Sequence, residues 1–93
     1  MRLSGKYKVV FTKQAQKDIE KVKQIKALEK NCKALIDLIS TEPFKNPPPY
    51  EKLIGNLQGA YSRRINIQHR LVYMVYEQEK TVKIISLWTH YER

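Results

Sequence analysis

Three runs near the C-terminus constrain the fold most, because they are rich in valine, isoleucine and tyrosine and are separated by short polar turns. They read AYSRRINI, HRLVYMVY and KTVKIISLWTHY, with NIQH and EQEK at the turns. β-Branched and aromatic residues favour extended backbone, and turns this short join antiparallel neighbours. The sequence therefore predicts a three-stranded antiparallel meander.

Two amphipathic helices are predicted before the meander, after a short strand in YKVVFT. Thr12 is suited to cap the first helix, in which Ala15, Ile19 and Val22 recur at helical spacing. An apolar stripe in QIKALEKNCKALIDLIS predicts the second helix, and its members are Ile25, Leu28, Cys32, Leu35, Ile36 and Ile39. Cys32 lies on this stripe, so it is expected to be an inert core residue and not a nucleophile. The order of elements predicts one α+β domain, residues 1–93, with helices packed on one face of a sheet.

The four prolines lie together in TEPFKNPPPYEKLIGNLQG, between the second helix and the meander. Proline blocks helix continuation and removes backbone donors, so this segment is predicted to be an ordered or semi-rigid loop. In the strand that follows, alternation places Arg64 on the side of Ser62 and Arg63 on the side of Tyr61. The two arginines are therefore predicted to lie on opposite faces, but the sequence does not decide which face the helices cover.

Net charge is the unusual property of this composition. The chain has 18 Lys and Arg residues against 9 Asp and Glu, a formal charge of +9, so a polyanion or an acidic protein is the expected partner. One cysteine excludes an internal disulfide and a thiolate metal cluster, and the two histidines are too far apart to form a strong metal signal. We find no signal peptide, no apolar span for a bilayer, no phosphate loop and no GxSxG motif. These observations predict a cytoplasmic protein without a cofactor, a metal or a membrane partner.

Cleavage of RNA without a metal requires a base for the 2′-hydroxyl, a cation for the phosphate and an acid for the leaving 5′-oxygen. Residues of suitable types are Glu51 for the base, Arg70 or Arg64 for the cation, and His90 for the acid. Four tyrosines could stack on unpaired bases, namely Tyr61, Tyr73, Tyr76 and Tyr91. Each also has an ordinary interpretation. Glu51 could be a solvated loop carboxylate, His69 in its turn is expected to be structural or exposed, and the arginines could be general contacts to phosphate or to a protein.

A family resemblance favours the catalytic interpretation. EKLIGNLQGAYSRRINIQHRLVYMV followed by THYER closely resembles the YoeB/Txe branch of the RelE-like toxins, the ribonuclease halves of type II toxin-antitoxin modules. The resemblance extends through PFKNPP and the two helices before it. It implies a microbial-ribonuclease-like, RelE-type α+β fold and metal-independent cleavage of mRNA in the ribosomal A site. It also implies inhibition by a cognate acidic antitoxin.

The resemblance assigns roles to individual residues. Glu51 matches the general base, whereas Arg70 and Arg64 match ligands of the phosphate and of the transition state. His90 is similar to the general acid of the family, and Tyr91 is similar to the residue that positions the RNA. Arg63 and Tyr61 are predicted, with Arg64, to bind RNA or its phosphates.

The chain also departs from the family pattern. Many relatives read PEPLKHxLxGxWSRR, so Ile54 and Gly55 replace a Lys-His pair, and Tyr61 replaces a tryptophan. The alternative is a non-catalytic basic module, namely an RNA- or antitoxin-binding protein such as an inactive toxin acting as a corepressor. The sequence does not indicate the codon preference, the identity of the antitoxin, or whether the protein is a monomer or a homodimer.

Overall fold

A five-stranded sheet and two helices make up the computed structural model of this protein, which describes residues 6–88. In chain order the elements are β1 (Lys8–Phe11), α1 (Lys13–Val22), α2 (Lys26–Thr41), β2 (Glu51–Lys52), a 3-10 turn (Gly55–Leu57), β3 (Tyr61–Arg64), β4 (Arg70–Tyr76) and β5 (Thr81–Ser86). None of the helices in this range is long and apolar enough to cross a membrane.

The strand order is β1-β5-β4-β3-β2, so the predicted meander is confirmed as β3, β4 and β5. The N-terminal strand β1 joins the meander at one edge, where it pairs with β5 in parallel, so the sheet is mixed. These two strands are far apart in the chain, and only such a long connection permits parallel pairing. At the other edge, β2 was not predicted, since two residues are too few to show strand alternation.

The first helix begins where its sequence predicts. Thr12 is the N-cap in an extended conformation, and its Oγ1 accepts a hydrogen bond from the backbone N–H of Ala15 at 3.0 Å. The same hydroxyl donates to the carbonyl oxygen of Ile85 at 2.8 Å. One side chain therefore both caps α1 and ties it to the end of β5.

The second helix buries most of its predicted apolar stripe. Leu28, Cys32 and Ile39 lie in the core, with Leu35 and Ile36 packed partly against it. Ile25 is the exception, because it is the extended N-cap residue of α2 and its side chain is exposed. The apolar stripe predicted from the sequence therefore includes one residue, Ile25, that lies just before the helix begins.

The helices cover the face of the sheet that carries Arg63, Leu71 and Tyr73. Leu71 and Tyr73 belong to one buried cluster with α1 and α2 residues such as Ala15 and Leu28. Cross-strand register pairs Arg63 with Leu71 and Tyr61 with Tyr73, so these side chains share that face. The opposite face, here called the open face, therefore receives Ser62, Arg64 and Arg70.

Burial of Cys32 gives a prediction about its chemistry. Desolvation raises the pKa of the thiol to about 11, and the charge of Glu29 adds to this shift. At pH 8 iodoacetamide should therefore alkylate the folded protein far more slowly than the guanidinium-unfolded protein, as measured by intact mass. The unfolded thiol ionises first, so the free energy of unfolding should fall as pH rises from about 9 to about 11. Cys32→Ala should lack this part of the pH dependence, and equal alkylation rates in both states would contradict the assignment.

Candidate active site

A cleft on the open face gathers three of the predicted site residues: Glu51, Arg64 and Arg70. It lies where the proline-rich segment meets β2, β3 and β4, and it has a volume of about 390 Å³. The lining residues are Pro48, Pro49, Tyr50, Glu51, Ser62, Arg64 and Arg70. A charged cleft of this kind, open to solvent, suits a polar substrate.

Strand register determines which side chains meet in the cleft. Glu51 of β2 is paired with Ser62 of β3, and Arg64 at the end of β3 is paired with Arg70 at the start of β4. The turn between β3 and β4 is held by Asn66, whose Oδ1 accepts the backbone N–H groups of residues 68 and 69. Backbone pairing thus brings a carboxylate and two guanidinium groups together.

Arg70 connects the acidic and basic parts of the cleft. Its Nη1 lies 3.5 Å from Glu51 Oε1 and donates a hydrogen bond to Ser62 Oγ at 3.2 Å. The side chains of Arg70 and Glu51 are 29% and 65% exposed, and an ion pair this exposed contributes little to stability. Both groups are therefore accessible to a substrate without a large cost to the fold.

Arg64 leaves the cleft with an excess of positive charge. Its side chain is exposed, and within residues 6–88 no ion pair or hydrogen bond engages its guanidinium. Like charges directly opposite on neighbouring strands are destabilising, and Arg64 faces Arg70 in this way. Binding of an anion between the two guanidinium groups would relieve this repulsion, so the cleft is suited to hold a phosphate.

A known protein family matches most of this chain. The profile of the YoeB-like toxins of bacterial type II toxin-antitoxin systems matches residues 11–91. The chain belongs to this family. It is 43% identical over 68 residues to the toxin YoeB of Synechocystis sp., which is 73% of this chain and 77% of that protein.

Solved structures place the toxin in the same fold family. It is similar to a chain of the YoeB-YefM complex from Staphylococcus aureus, with a TM-score of 0.79, 37% identity, and coverage of 91% of this chain and 98% of that chain. It is also similar to a chain of the archaeal RelE-RelB complex from Pyrococcus horikoshii, with a TM-score of 0.73, 26% identity, and coverage of 89% and 93%. The predicted RelE-type α+β fold is confirmed.

Arg63 of the toxin was predicted to bind RNA phosphate, and this prediction is wrong. Its side chain lies on the helix-covered face and is 1% exposed. The guanidinium donates four hydrogen bonds to internal acceptors: the Tyr73 hydroxyl (3.0 Å) and the carbonyl oxygens of Pro43 (3.0 Å), Lys45 (2.8 Å) and Pro48 (2.7 Å). A phosphate has no access to these donors.

These bonds attach the proline loop, residues 43–50, to the sheet. Tyr73 adds to the attachment, because its hydroxyl donates to the Pro43 carbonyl oxygen at 2.7 Å. Burial raises the pKa of the Tyr73 hydroxyl, and the Arg63 guanidinium partly opposes this rise. The guanidinium also lies 4.9 Å from the ring centre of Tyr50. Since the loop leads directly into β2, Arg63 fixes the wall of the cleft next to Glu51.

The predicted tyrosines that lie within residues 6–88 do not meet in the cleft. Tyr61 is half-buried and packs in an aromatic cluster with Phe44, Tyr50 and Tyr73, at centre-to-centre distances of 5.0, 5.8 and 5.7 Å. Tyr73 is fully buried, so it cannot stack on a base, and Tyr76 lies at the far end of β4 and lines no part of the cleft. Among the described residues, the tyrosine that lines the cleft is Tyr50, which the sequence did not single out.

The structure describes one of the two histidines. His69 is buried and stacks on Trp88, with ring centres 4.2 Å apart, so its structural interpretation is confirmed. His90 and Tyr91 lie outside the described residues, and their predicted roles stay predictions. In the described range, the structure contains no group of three or more His, Cys, Asp or Glu side chains that could hold a metal ion.

Ser62 and Asp18 are residues of interest that the site prediction missed. Ser62 is buried beneath the cleft, where its hydroxyl accepts from Arg70. Asp18 is buried in α1, and its Oδ2 accepts the backbone N–H of Leu87 at 2.9 Å, just after β5 ends. Ser62 could have been found from its shared strand face with Arg64, whereas nothing local marks Asp18 as a core carboxylate.

Proposed function

We propose that the toxin is an endoribonuclease that cleaves mRNA in the ribosomal A site without a metal ion. The observation that carries this proposal is the cleft in which the Glu51 carboxylate lies 3.5 Å from the Arg70 guanidinium, next to the exposed Arg64. This is a base beside two phosphate-binding cations, which is what transfer of a phosphodiester to its own 2′-hydroxyl requires. Membership of the toxin family supports the same chemistry.

The reaction begins when Glu51 removes the proton from the 2′-hydroxyl. The oxygen then attacks the adjacent phosphorus, a 2′,3′-cyclic phosphate forms, and the bond to the 5′-oxygen breaks. His90 donates a proton to that leaving oxygen. Arg70 and Arg64 hold the non-bridging oxygens, where negative charge grows in the transition state. Tyr91 positions the RNA.

Arg70 links binding to activation of the base. In the free toxin its Nη1 is shared between Glu51 and Ser62. A bound phosphate competes for the same guanidinium, because a charged oxygen at hydrogen-bonding distance is a stronger partner than a carboxylate 3.5 Å away. Binding of the substrate thus releases a Glu51 lone pair for the 2′-hydroxyl.

The positive charges of the cleft also indicate the partners of the toxin. A cognate acidic antitoxin would neutralise the cleft by placing carboxylates on Arg64 and Arg70, and electrostatic steering would speed this association. Arg63 cannot take part, because its guanidinium is buried. The chain of the Staphylococcus aureus relative is likewise in complex with YefM. The ribosome and its mRNA are the proposed targets of the free toxin in the cytoplasm.

A non-catalytic binding module is the alternative. The exposure of Glu51 favours it, since a solvated carboxylate 3.5 Å from an arginine is also an ordinary surface ion pair. Such a module would bind RNA or the antitoxin through the same cations but would not cut. The two functions differ in whether a proton-transfer residue is needed.

Substitution of His90 tests this difference. His90→Gln preserves size but cannot transfer a proton near neutral pH, so it should lower the cleavage rate by roughly 10²–10⁴-fold. Binding to the ribosome should remain almost unchanged. The measurement is single-turnover cleavage of mRNA on programmed ribosomes, with co-sedimentation for binding and thermal melting for folding. A folded His90→Gln protein that cuts at the wild-type rate, or a wild type that binds and never cuts, would favour the binding module.

A further inference from the structure

A stacked pair of rings joins the segment after β5 to the residue before β4. Trp88 lies just beyond β5 and stacks on His69, with ring centres 4.2 Å apart and an angle of 29° between the planes. His69 directly precedes Arg70, the first residue of β4. His90 follows Trp88 by two positions in the chain. The stack therefore connects the strand of the phosphate-binding arginine with the segment that leads to the proposed acid.

The turn between β3 and β4 holds the His69 side of the stack. The carbonyl oxygen of His69 accepts the N–H of Ile65 at 2.8 Å, and its own N–H donates to Asn66 Oδ1 at 2.7 Å. The imidazole is buried, and within residues 6–88 no hydrogen bond engages its Nδ1. Its described contact with Trp88 is therefore made through the face of the ring and not through that nitrogen.

Helix α1 holds the Trp88 side of the stack. Asp18 Oδ2 accepts the backbone N–H of Leu87 at 2.9 Å, and both residues are fully buried. Lys21 Nζ lies over the Trp88 ring, 5.4 Å from its centre, in a cation–π contact. The chain is thus anchored to the helix at the residue before Trp88 and again at the Trp88 ring.

Sheet pairing between β4 and β5 ends before it reaches Trp88. Ser86, the last residue of β5, is paired with Val72. Because the two strands are antiparallel, residues after 86 run beside residues before 72, which brings Trp88 next to His69. Stacked rings stabilise a contact beyond the area they bury, so the stack holds the two chain segments together where the ladder of hydrogen bonds has ended.

We propose that Trp88 is a positioning residue, whose stack on His69 sets His90 against Arg70 so that both act on one phosphate. The inference rests on the proposed function, because it takes His90 as the acid and Arg70 as the cation. Two residues of chain extend at most about 7 Å, so fixing Trp88 limits the positions that His90 can reach. The acid must reach the leaving 5′-oxygen while the guanidinium holds the other oxygens of the same phosphorus, and a misplacement of about 1 Å can lower a rate roughly 10²-fold.

Trp88→Leu tests the role of the ring, because leucine is still large and apolar but cannot stack. The variant should lower the saturating single-turnover rate on programmed ribosomes by roughly 10–10²-fold. The half-saturating toxin concentration should stay within about twofold of wild type, since Arg64 and Arg70 still bind the phosphate. Trp88→Phe retains a stacking ring and should recover most of the rate. A wild-type rate in Trp88→Leu, or a loss of affinity in place of rate, would overturn the inference.

Tyr7→Leu is the matched control for the loss of an aromatic ring. Tyr7 is half-buried, Lys80 Nζ lies 5.0 Å from its ring centre, and its hydroxyl donates to Glu77. These contacts resemble those of Trp88, but Tyr7 does not line the cleft. Tyr7→Leu should lower the melting temperature and leave the cleavage rate unchanged at a temperature where both variants are folded. An equal loss of rate in Tyr7→Leu and Trp88→Leu would show a general effect of destabilisation and would refute a positioning role.

An NMR titration separates failure of this inference from failure of the proposed function. The chain has two histidines, so the imidazole Cε1–H region contains two signals, which the spectrum of His90→Gln assigns. The full-length toxin is titrated with a short RNA whose reactive 2′-hydroxyl is replaced by hydrogen. The RNA should shift the His90 signal strongly in the wild type and much less in Trp88→Leu, with the amide signal of Arg70 giving the same affinity for both.

That result supports the positioning role of Trp88 even if the toxin proves unable to cut RNA, in which case the proposed function alone fails. Equal shifts of the His90 signal in the wild type and Trp88→Leu overturn it, even if the toxin cuts. Absence of any His90 shift in the wild type overturns it as well, since the histidine would then not lie near the bound phosphate.

Discussion

Arg70→Ala should lower the single-turnover rate of mRNA cleavage by roughly 10²–10³-fold, the loss expected when one group that stabilises a developing oxyanion is removed. The guanidinium lies between the Glu51 base and the position proposed for the phosphate, and it contacts Ser62 as well. Its ion pair is solvent-exposed, so the substitution should hardly change the melting temperature. Rates are measured with toxin in excess over programmed ribosomes, so that binding does not limit them.

Lys83→Ala is the matched control for the loss of one positive charge. Lys83 lies on β5 opposite Met74, away from the residues that line the cleft. It should weaken binding at low salt but leave the saturating rate within about twofold of wild type, because a distant charge acts through the general field. Arg70→Lys should restore only part of the rate, since an ammonium group cannot bind two phosphate oxygens as a fork. An Arg70→Ala rate equal to that of Lys83→Ala would remove Arg70 from the catalytic groups.

A double substitution would test whether Arg70 and Glu51 act as a unit. If the proposed release of Glu51 by the phosphate is correct, then the combined loss in Glu51→Gln with Arg70→Ala should be smaller than the product of the single losses. If the two residues act independently, the loss of rate in the double variant should equal the product of the two single losses. The result separates a shared catalytic step from two independent contributions to affinity.

Much of the fold follows from local pattern, because its strands and helices are regular. The alternation along β3 correctly separates Arg63 from Arg64, and the helical spacing after Thr12 correctly predicts α1. Alternation could not decide which arginine is buried, since both faces of β4 carry apolar residues. Arg63 is the buried arginine because its guanidinium donates to carbonyl oxygens of the proline loop, which is far away in the sequence.

The site was harder to predict because it also depends on contacts between residues that are far apart in the sequence. The family resemblance gave Glu51, Arg64 and Arg70, but their grouping depends on β2, a strand of two residues that no periodicity reveals. Tyr50 lies in a segment without regular structure, where side-chain positions depend on turns and on long-range hydrogen bonds. A local pattern contains no information on such contacts.

Arg63→Ala should have the largest effect on stability, lowering the free energy of unfolding by roughly 3–5 kcal/mol. The substitution leaves the carbonyl oxygens of Lys45 and Pro48 without their guanidinium donor, whereas that of Pro43 keeps the Tyr73 hydroxyl. A hydrogen bond to a charged group contributes about 1.5–3 kcal/mol. The loss should be smaller than the sum, because the proline loop is near the surface and water can replace part of the guanidinium. A domain of this size has a free energy of unfolding of only about 5–15 kcal/mol, so the change is large.

The neighbouring residue provides the control for Arg63→Ala. Arg64→Ala removes the same side chain one position further along β3, where it is exposed, and it should change the free energy of unfolding by no more than about 0.5 kcal/mol. Urea denaturation followed by circular dichroism measures both variants, with the m-value showing whether each unfolds in one step. Arg63→Lys should recover little stability, since one ammonium group cannot reach acceptors that Arg63 contacts through three different nitrogens. Equal stability of Arg63→Ala and Arg64→Ala would show that the proline loop is held to the sheet by other contacts, and that the position of Glu51 does not depend on Arg63.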